Sequence, residues 1–224
     1  MRRGVCERCS TARYQVTTGE DQAVKSNPRG YKRAGCDCRG NYADFIATKR
    51  RLAASSGLDH ETPPDYLFDF QKRICSWAAT KGRAAIFANC GLGKTVMQLW
   101  WANQVPGRTL ILAPLAVAEQ TEREAERFGL ACSRDPSARV VVTNYQRLHQ
   151  FDADDFNAVV LDESSILKSF DGKTRTRIIE AFADHPYKLA CTATPSPNDY
   201  MELGNHAEFL NVCSRAEMLA MSIT

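Results

Sequence analysis

Ala88-Asn89-Cys90-Gly91-Leu92-Gly93-Lys94-Thr95 follows an apolar run, Ala84 to Ala88, and opens a segment, Thr95 to Gln104, whose apolar residues recur at helical spacing. A strand, a glycine-bearing loop and a helix in that order form the context in which a loop cradles phosphate. Gly91 and Gly93 let the chain turn so that the N–H groups of Gly91, Leu92 and Gly93 point inward, Lys94 supplies a point charge for β- and γ-phosphates, and the Thr95 hydroxyl suits magnesium. Ala88 stands where the strict pattern has its first glycine.

Working outward, short runs rich in Val, Ile, Leu and Ala alternate with longer amphipathic segments. Strands are expected at Ala84 to Ala88, Thr109 to Ala113, Val140 to Thr143, Ala158 to Asp162 and Lys188 to Thr192, and helices at Thr95 to Gln104, Ala116 to Phe128 and Gly172 to Phe182. Repeated β-α-β order with strands apolar throughout predicts a parallel sheet covered by helices on both faces. Ligands of such sheets gather at the carboxyl ends of the strands. The second motif falls there: Val159-Val160-Leu161-Asp162-Glu163-Ser164-Ser165 is an apolar strand ending in two carboxylates. Asp162 can hold magnesium and Glu163 can polarise the water that attacks a γ-phosphate. An acidic pair alone is a weak signal, often a solvated turn or a helix cap. Downstream of a phosphate loop it becomes the other half of a nucleotide site.

These residues resemble the first RecA-like lobe of a superfamily 2 helicase of the DEAD/DEAH-like kind, closest to the Swi/Snf-like branch and to phage or bacterial members, over about Asp65 to Leu210. Asp69-Phe70-Gln71 is similar to the adenine-reading glutamine motif, and Leu112-Ala113-Pro114 and Val142-Thr143-Asn144-Tyr145 to the motifs that hold nucleic acid backbone. Asp162-Glu163-Ser164-Ser165 stands at the Asp-Glu-Ala-His position, and Thr192-Ala193-Thr194-Pro195 at the Thr-Ala-Thr motif. The resemblance implies an ATP-dependent DNA helicase or translocase using ATP and magnesium, with Gln71 at the base, Pro114, Thr143 and Tyr145 on nucleic acid, and Thr192 and Thr194 coupling the two. RNA stays open as the polymer. Ser165 in place of histidine removes the usual link between the acidic pair and the Thr-Ala-Thr motif, which Thr192 and Thr194 could restore through their hydroxyls. In such enzymes a second RecA-like lobe supplies arginine fingers worth roughly 10³ to 10⁵ in rate. The sequence stops about where the first lobe is complete, so very slow hydrolysis is expected unless that lobe is supplied in a longer chain or in trans. The alternative is a catalytically incompetent scaffold that binds nucleic acid or protein. No Asn-Lys-x-Asp motif specifies guanine.

The 224 residues allow one full domain with a small appendage. Residues 1–51 carry 12 Lys and Arg against 5 Asp and Glu, leaving 17 against 21 for the rest, so a basic leader precedes a mildly acidic body. Such an arm suits a polyanion, and a solvated tail is the plainer reading. Ser55-Ser56-Gly57 and Pro63-Pro64 mark a linker. The expected organisation is therefore a basic segment at 1–55, a linker at 56–64 and a RecA-like lobe at 65–224. Nine cysteines, an odd count, suit reduced thiols. Four of them, Cys6, Cys9, Cys36 and Cys38, form two close pairs that could hold a structural zinc, though Cys-x-Cys spacing is imperfect and free thiols are the other reading. The longest nearly apolar stretch, Leu110 to Ala118, contains Pro114 and is far short of the roughly 20 residues that cross a bilayer. A cytoplasmic location with no membrane partner is expected.

Overall fold

The computed structural model describes residues 57–168, 172–196, 202–214, 217 and 218, together with the backbone of two short strands, β1 (Gln15–Val16) and β2 (Tyr31–Lys32). The chain divides into two units, Met1–Arg51 and Leu52–Thr224. In the first, β1 pairs antiparallel with β2, Gln15 opposite Lys32 and Val16 opposite Tyr31. The candidate zinc ligands Cys6, Cys9, Cys36 and Cys38 lie outside the described residues. Among the described residues no group of His, Cys, Asp or Glu is placed to hold a metal ion as a cluster, and Cys75, Cys90, Cys132, Cys191 and Cys213 are free thiols.

The second unit runs α1 (Asp69–Lys81), β3 (Arg83–Phe87), α2 (Lys94–Gln104), β4 (Thr109–Ala113), α3 (Leu115–Phe128), β5 (Val140–Asn144), β6 (Ala158–Asp162), α4 (Lys173–Ala181), β7 (Tyr187–Thr192) and α5 (Leu203–Phe209), with 3-10 turns at Tyr145–Gln150, Ala153–Asp155 and Ser164–Lys168. The five strands β3 to β7 form one parallel sheet in the order β3-β7-β6-β4-β5. β4, β5 and β6 are buried along their whole length because both faces are covered. Successive side chains of a strand point to opposite faces. Accordingly Ile111, Val142, Val160 and Cys191 pack with Cys75, Met97, Trp101 and Ala125 of α1, α2 and α3, whereas Leu110, Val141, Val159 and Ala190 pack with Ile178, Phe182 and Phe209 of the α4 and α5 side. The expected sheet with helices on both faces is present.

β4 and β6 have the bounds their apolar runs predict; β3 and β7 each begin one residue earlier. Among the described residues two helices lie beyond the expected three. α1 escapes a periodicity search because its core-facing residues, Cys75, Ala78 and Ala79, are small, while the larger Phe70 and Trp77 are exposed. Gly82, at φ 70°, ends it by returning its N–H to Ala78 and Ala79. α5 is built from Gly204, Asn205 and His206, poor helix formers that tertiary packing buries. Leu58, in the stretch that reads as a linker, is buried in the core, its N–H bonded to the Ala79 carbonyl at 2.8 Å. Trp100 and Trp101 are core residues, and no described helix is long and apolar enough to cross a membrane.

Candidate active site

The loop after β3 turns on two glycines in the left-handed region, Gly91 at φ 81° and Gly93 at φ 74°. They are held for different reasons. A Cβ at Gly91 would meet nothing within 4 Å, but at Gly93 it would sit 2.4 Å from Gln71 Nε2. Gly93 caps α2 without any side-chain bond, so the leading N–H groups of that helix are open at the loop. Lys94, 9% exposed, curls back and donates to the carbonyls of Ala88 at 3.0 Å and Asn89 at 3.4 Å. Thr95 is half-buried on the first turn.

Gln71 reaches this loop from α1. It is 5% exposed, and its amide donates to the Leu92 carbonyl at 3.0 Å while accepting the Phe68 N–H at 2.9 Å. The exposed rings of Phe68 and Phe70 stack at 6.1 Å beside it.

β7 lies between β3 and β6, and its register puts Thr192 beside Phe87 and Cys191 beside Asp162. The phosphate loop and the acidic pair therefore leave the same end of the sheet, from strands with β7 between them. Asp162 is 4% exposed and accepts the Glu163 N–H at 3.1 Å. Burial raises its pKa above the usual carboxylate value and the Glu163 charge adds to this, while Lys94 is near enough to oppose it. Gln98, fully buried and one turn beyond Lys94 on α2, also favours the ionised Asp162, yet neither of its amide atoms makes a hydrogen bond of ordinary geometry. Glu163 sits at φ 51°, left-handed for a residue with a side chain.

Thr192, buried, donates to Glu163 Oε2 at 3.4 Å and accepts the Thr194 N–H at 3.1 Å, and Ser165 donates to the Glu163 carbonyl at 3.4 Å. A histidine does meet the acidic turn, from 42 residues downstream: His206 on α5 bonds Ser164 Oγ at 3.0 Å and stands edge-on to Phe87 at 5.4 Å. No local pattern announces it. Gln98 was more accessible to sequence reasoning, since positions four apart share a helix face.

Of the residues expected at nucleic acid, Pro114 and Tyr145 line one cavity of about 320 Å³ together with Leu115, Glu163, Ser165 and Ile166. Thr143 is buried within β5. Tyr145 is 7% exposed, and its hydroxyl donates to the Asp162 carbonyl at 2.6 Å.

A parallel sheet with a glycine-turned lysine loop after one strand and an acidic pair, its Asp buried, two strands away is a RecA-like lobe of the P-loop type. Residues 65–197, more than half of the chain, match the ResIII family, described as type III restriction enzyme, res subunit, and the chain belongs to that family. Solved structures share the fold. The SWI2/SNF2 ATPase core of Sulfolobus solfataricus in complex with dsDNA aligns at TM-score 0.58 and 20% identity over 76% of this chain and 40% of that one. The UvsW helicase of bacteriophage T4 aligns at 0.53 and 18% over 77% of this chain and 66% of that one. The Hef helicase domain of Pyrococcus furiosus aligns at 0.51 and 16% over 63% and 36%. The chain thus spans less than two thirds of each. No curated protein sequence matches it.

Proposed function

We propose that this chain binds Mg-ATP at the Gly91 to Thr95 loop and is the ATP-binding lobe of a DNA helicase or translocase that couples ATP hydrolysis to movement on nucleic acid. The observation carrying this reading is the register that sets the lysine loop after β3 and the acidic pair after β6 at the same end of the sheet, beside the uncapped start of α2. Open N–H groups at a helix start, with a lysine at its first turn, suit a chain of phosphates. The hard oxygen donors of Thr95 and Asp162 fit magnesium, which when bound would neutralise charge on the β- and γ-phosphates.

The residues of the chain would then act as follows. Lys94 leaves the Ala88 and Asn89 carbonyls for the phosphates. Glu163, hydrogen-bonded by Thr192, accepts a proton from the attacking water, and Thr192 and Thr194 link that event to the strand beside the phosphate loop. Gln71 joins the base side to the loop through the Leu92 carbonyl, its second N–H and remaining lone pair being suited to an adenine edge. Pro114 and Tyr145, in the cavity they share with Glu163, would lie toward the polymer, with Thr143 buried in β5. The net +7 of residues 1–51 supports a polyanionic partner, and backbone contact needs no base-reading residues. A second RecA-like lobe would complete the site and supply arginine. The basic segment as a zinc module on Cys6, Cys9, Cys36 and Cys38 belongs to the same proposal and is checked by metal analysis of the purified chain.

Isothermal titration with ATP and magnesium tests the core of the reading. Lys94→Ala should abolish binding, and Glu163→Gln should retain it while ending turnover. DNA binding that ignores both substitutions, in a chain with no affinity for nucleotide, would replace the ATPase by a scaffold.

A further inference from the structure

Tyr145 follows the edge strand β5, and β4 lies between β5 and β6. Neighbouring strands are about 4.8 Å apart, so the end of β6 is nearly two such spacings away, a gap a phenol can cross and a shorter side chain cannot. The Tyr145 hydroxyl makes that crossing and donates to the Asp162 carbonyl at 2.6 Å. This oxygen belongs to the peptide joining the two acidic residues. Its orientation sets ψ of Asp162 and φ of Glu163 together, and Glu163 holds φ 51°, a state that a side chain disfavours and that surroundings must maintain. On the other flank, the Thr192 hydroxyl meets the Glu163 carboxylate at 3.4 Å. Burial, with the acidic pair adding, pushes the phenol pKa well above its ordinary value, so the hydroxyl remains a donor throughout the physiological range.

The geometry points to Tyr145 as a positioning residue: its hydroxyl fixes the peptide between Asp162 and Glu163 and so keeps Glu163 in the left-handed backbone that sets its carboxylate against Thr192. This rests on the hydrolytic role proposed for Glu163. It gives Tyr145 a task in the chemistry that its place in a nucleic-acid motif does not suggest.

Tyr145→Phe keeps the ring and removes one oxygen. In a crystal structure of that variant, Glu163 should leave the positive-φ region; φ remaining near its present value overturns the assignment. In single-turnover hydrolysis with the chain in excess over ATP, the first-order rate should fall about tenfold while the ATP dissociation constant shifts less than twofold, since the phosphate loop is untouched. Equal rates, or a rate loss matched by an equal affinity loss, also overturn it. A wild-type chain that fails to bind ATP at all would sink the nucleotide reading instead, and the Glu163 backbone in the variant would still decide the role of Tyr145. Should Tyr145→Phe not fold, Thr192→Val supplies the test: with the Tyr145 hydroxyl in place, Glu163 must stay at positive φ, and its loss there refutes the assignment.

Discussion

The two ends of one sheet are treated in opposite ways. At the end where the strands begin, several polar groups, one of them deeply buried, are matched. Lys188, 1% exposed in β7, gives its amine to the Ala183 carbonyl at 2.9 Å and Asn211 Oδ1 at 3.2 Å. Arg139, ahead of β5, donates to the carbonyls of Asn103 and Val105, and Asn157, ahead of β6, takes the Arg108 N–H. Where the strands finish, Asp162 is buried with a raised pKa, Gln98 has both amide atoms unmatched, α2 starts uncapped and Glu163 is left-handed. The apolar layers between the two ends are the same. The unmet polar capacity of Gln98, Asp162 and the start of α2 lies where the proposed ligand would supply it. The indole N–H of Trp101 is also unmatched, and nothing in the structure explains it.

That contrast predicts stability losses at one end and gains at the other. The largest effect is expected from Lys188→Ala, which opens a cavity and takes the ammonium from the Ala183 carbonyl and Asn211 Oδ1, leaving that carbonyl the Asn211 amide alone; it should cost about 3 kcal/mol, read from urea midpoints with m unchanged. A loss below about 1 kcal/mol would mean the matched end is no anchor. Next come the two loop glycines. Gly93→Ala meets both the left-handed backbone and the Gln71 amide, whose bond to Leu92 must break, so about 2 kcal/mol and at least about tenfold in ATP affinity should go. Gly91→Ala meets the backbone term alone, and about 1 kcal/mol is expected. Equal losses at the two positions would remove Gln71 from the account of the loop.

Much of this site was legible because it is local. The phosphate loop, the acidic pair and the Thr-Ala-Thr segment are each contiguous, and each follows a strand whose apolar run declares itself. What stayed hidden depends on contacts across the fold. Tyr145 reads as a nucleic-acid residue from its motif, yet the side chain spans a strand to reach Asp162. His206 lies in a helix too short and too poor in helix formers to be seen, and only its packing against Phe87 and Ser164 brings it to the acidic turn. Gln98 looks like one more polar residue on α2 until burial removes its solvent.

At the site end the expected sign reverses. The folded pKa of Asp162 is raised, so the folded chain binds the proton more tightly than the unfolded one. Stability from this group is full below the unfolded value of 3.8 and is lost as pH rises through the folded value. Asp162→Asn keeps an acceptor for the Glu163 N–H and removes the buried charge. It should gain about 1 kcal/mol near pH 7, with the gain vanishing below pH about 4, as magnesium-dependent ATP binding weakens. A variant less stable than wild type at pH 7 would show that Lys94 already compensates the charge. The smallest effect is expected at Gln98. Methionine fills a similar volume and carries no unmatched amide, which favours the variant, but it withdraws a dipole that helps Asp162 ionise, which opposes it. The two should leave Gln98→Met about 0.5 kcal/mol more stable at pH 7, and more so when combined with Asp162→Asn, where only the favourable half remains. Thermal melts of the two single variants and the double variant measure that coupling. A Gln98→Met chain that is destabilised alone and gains nothing in the double variant would show that the amide serves the core rather than the acidic pair.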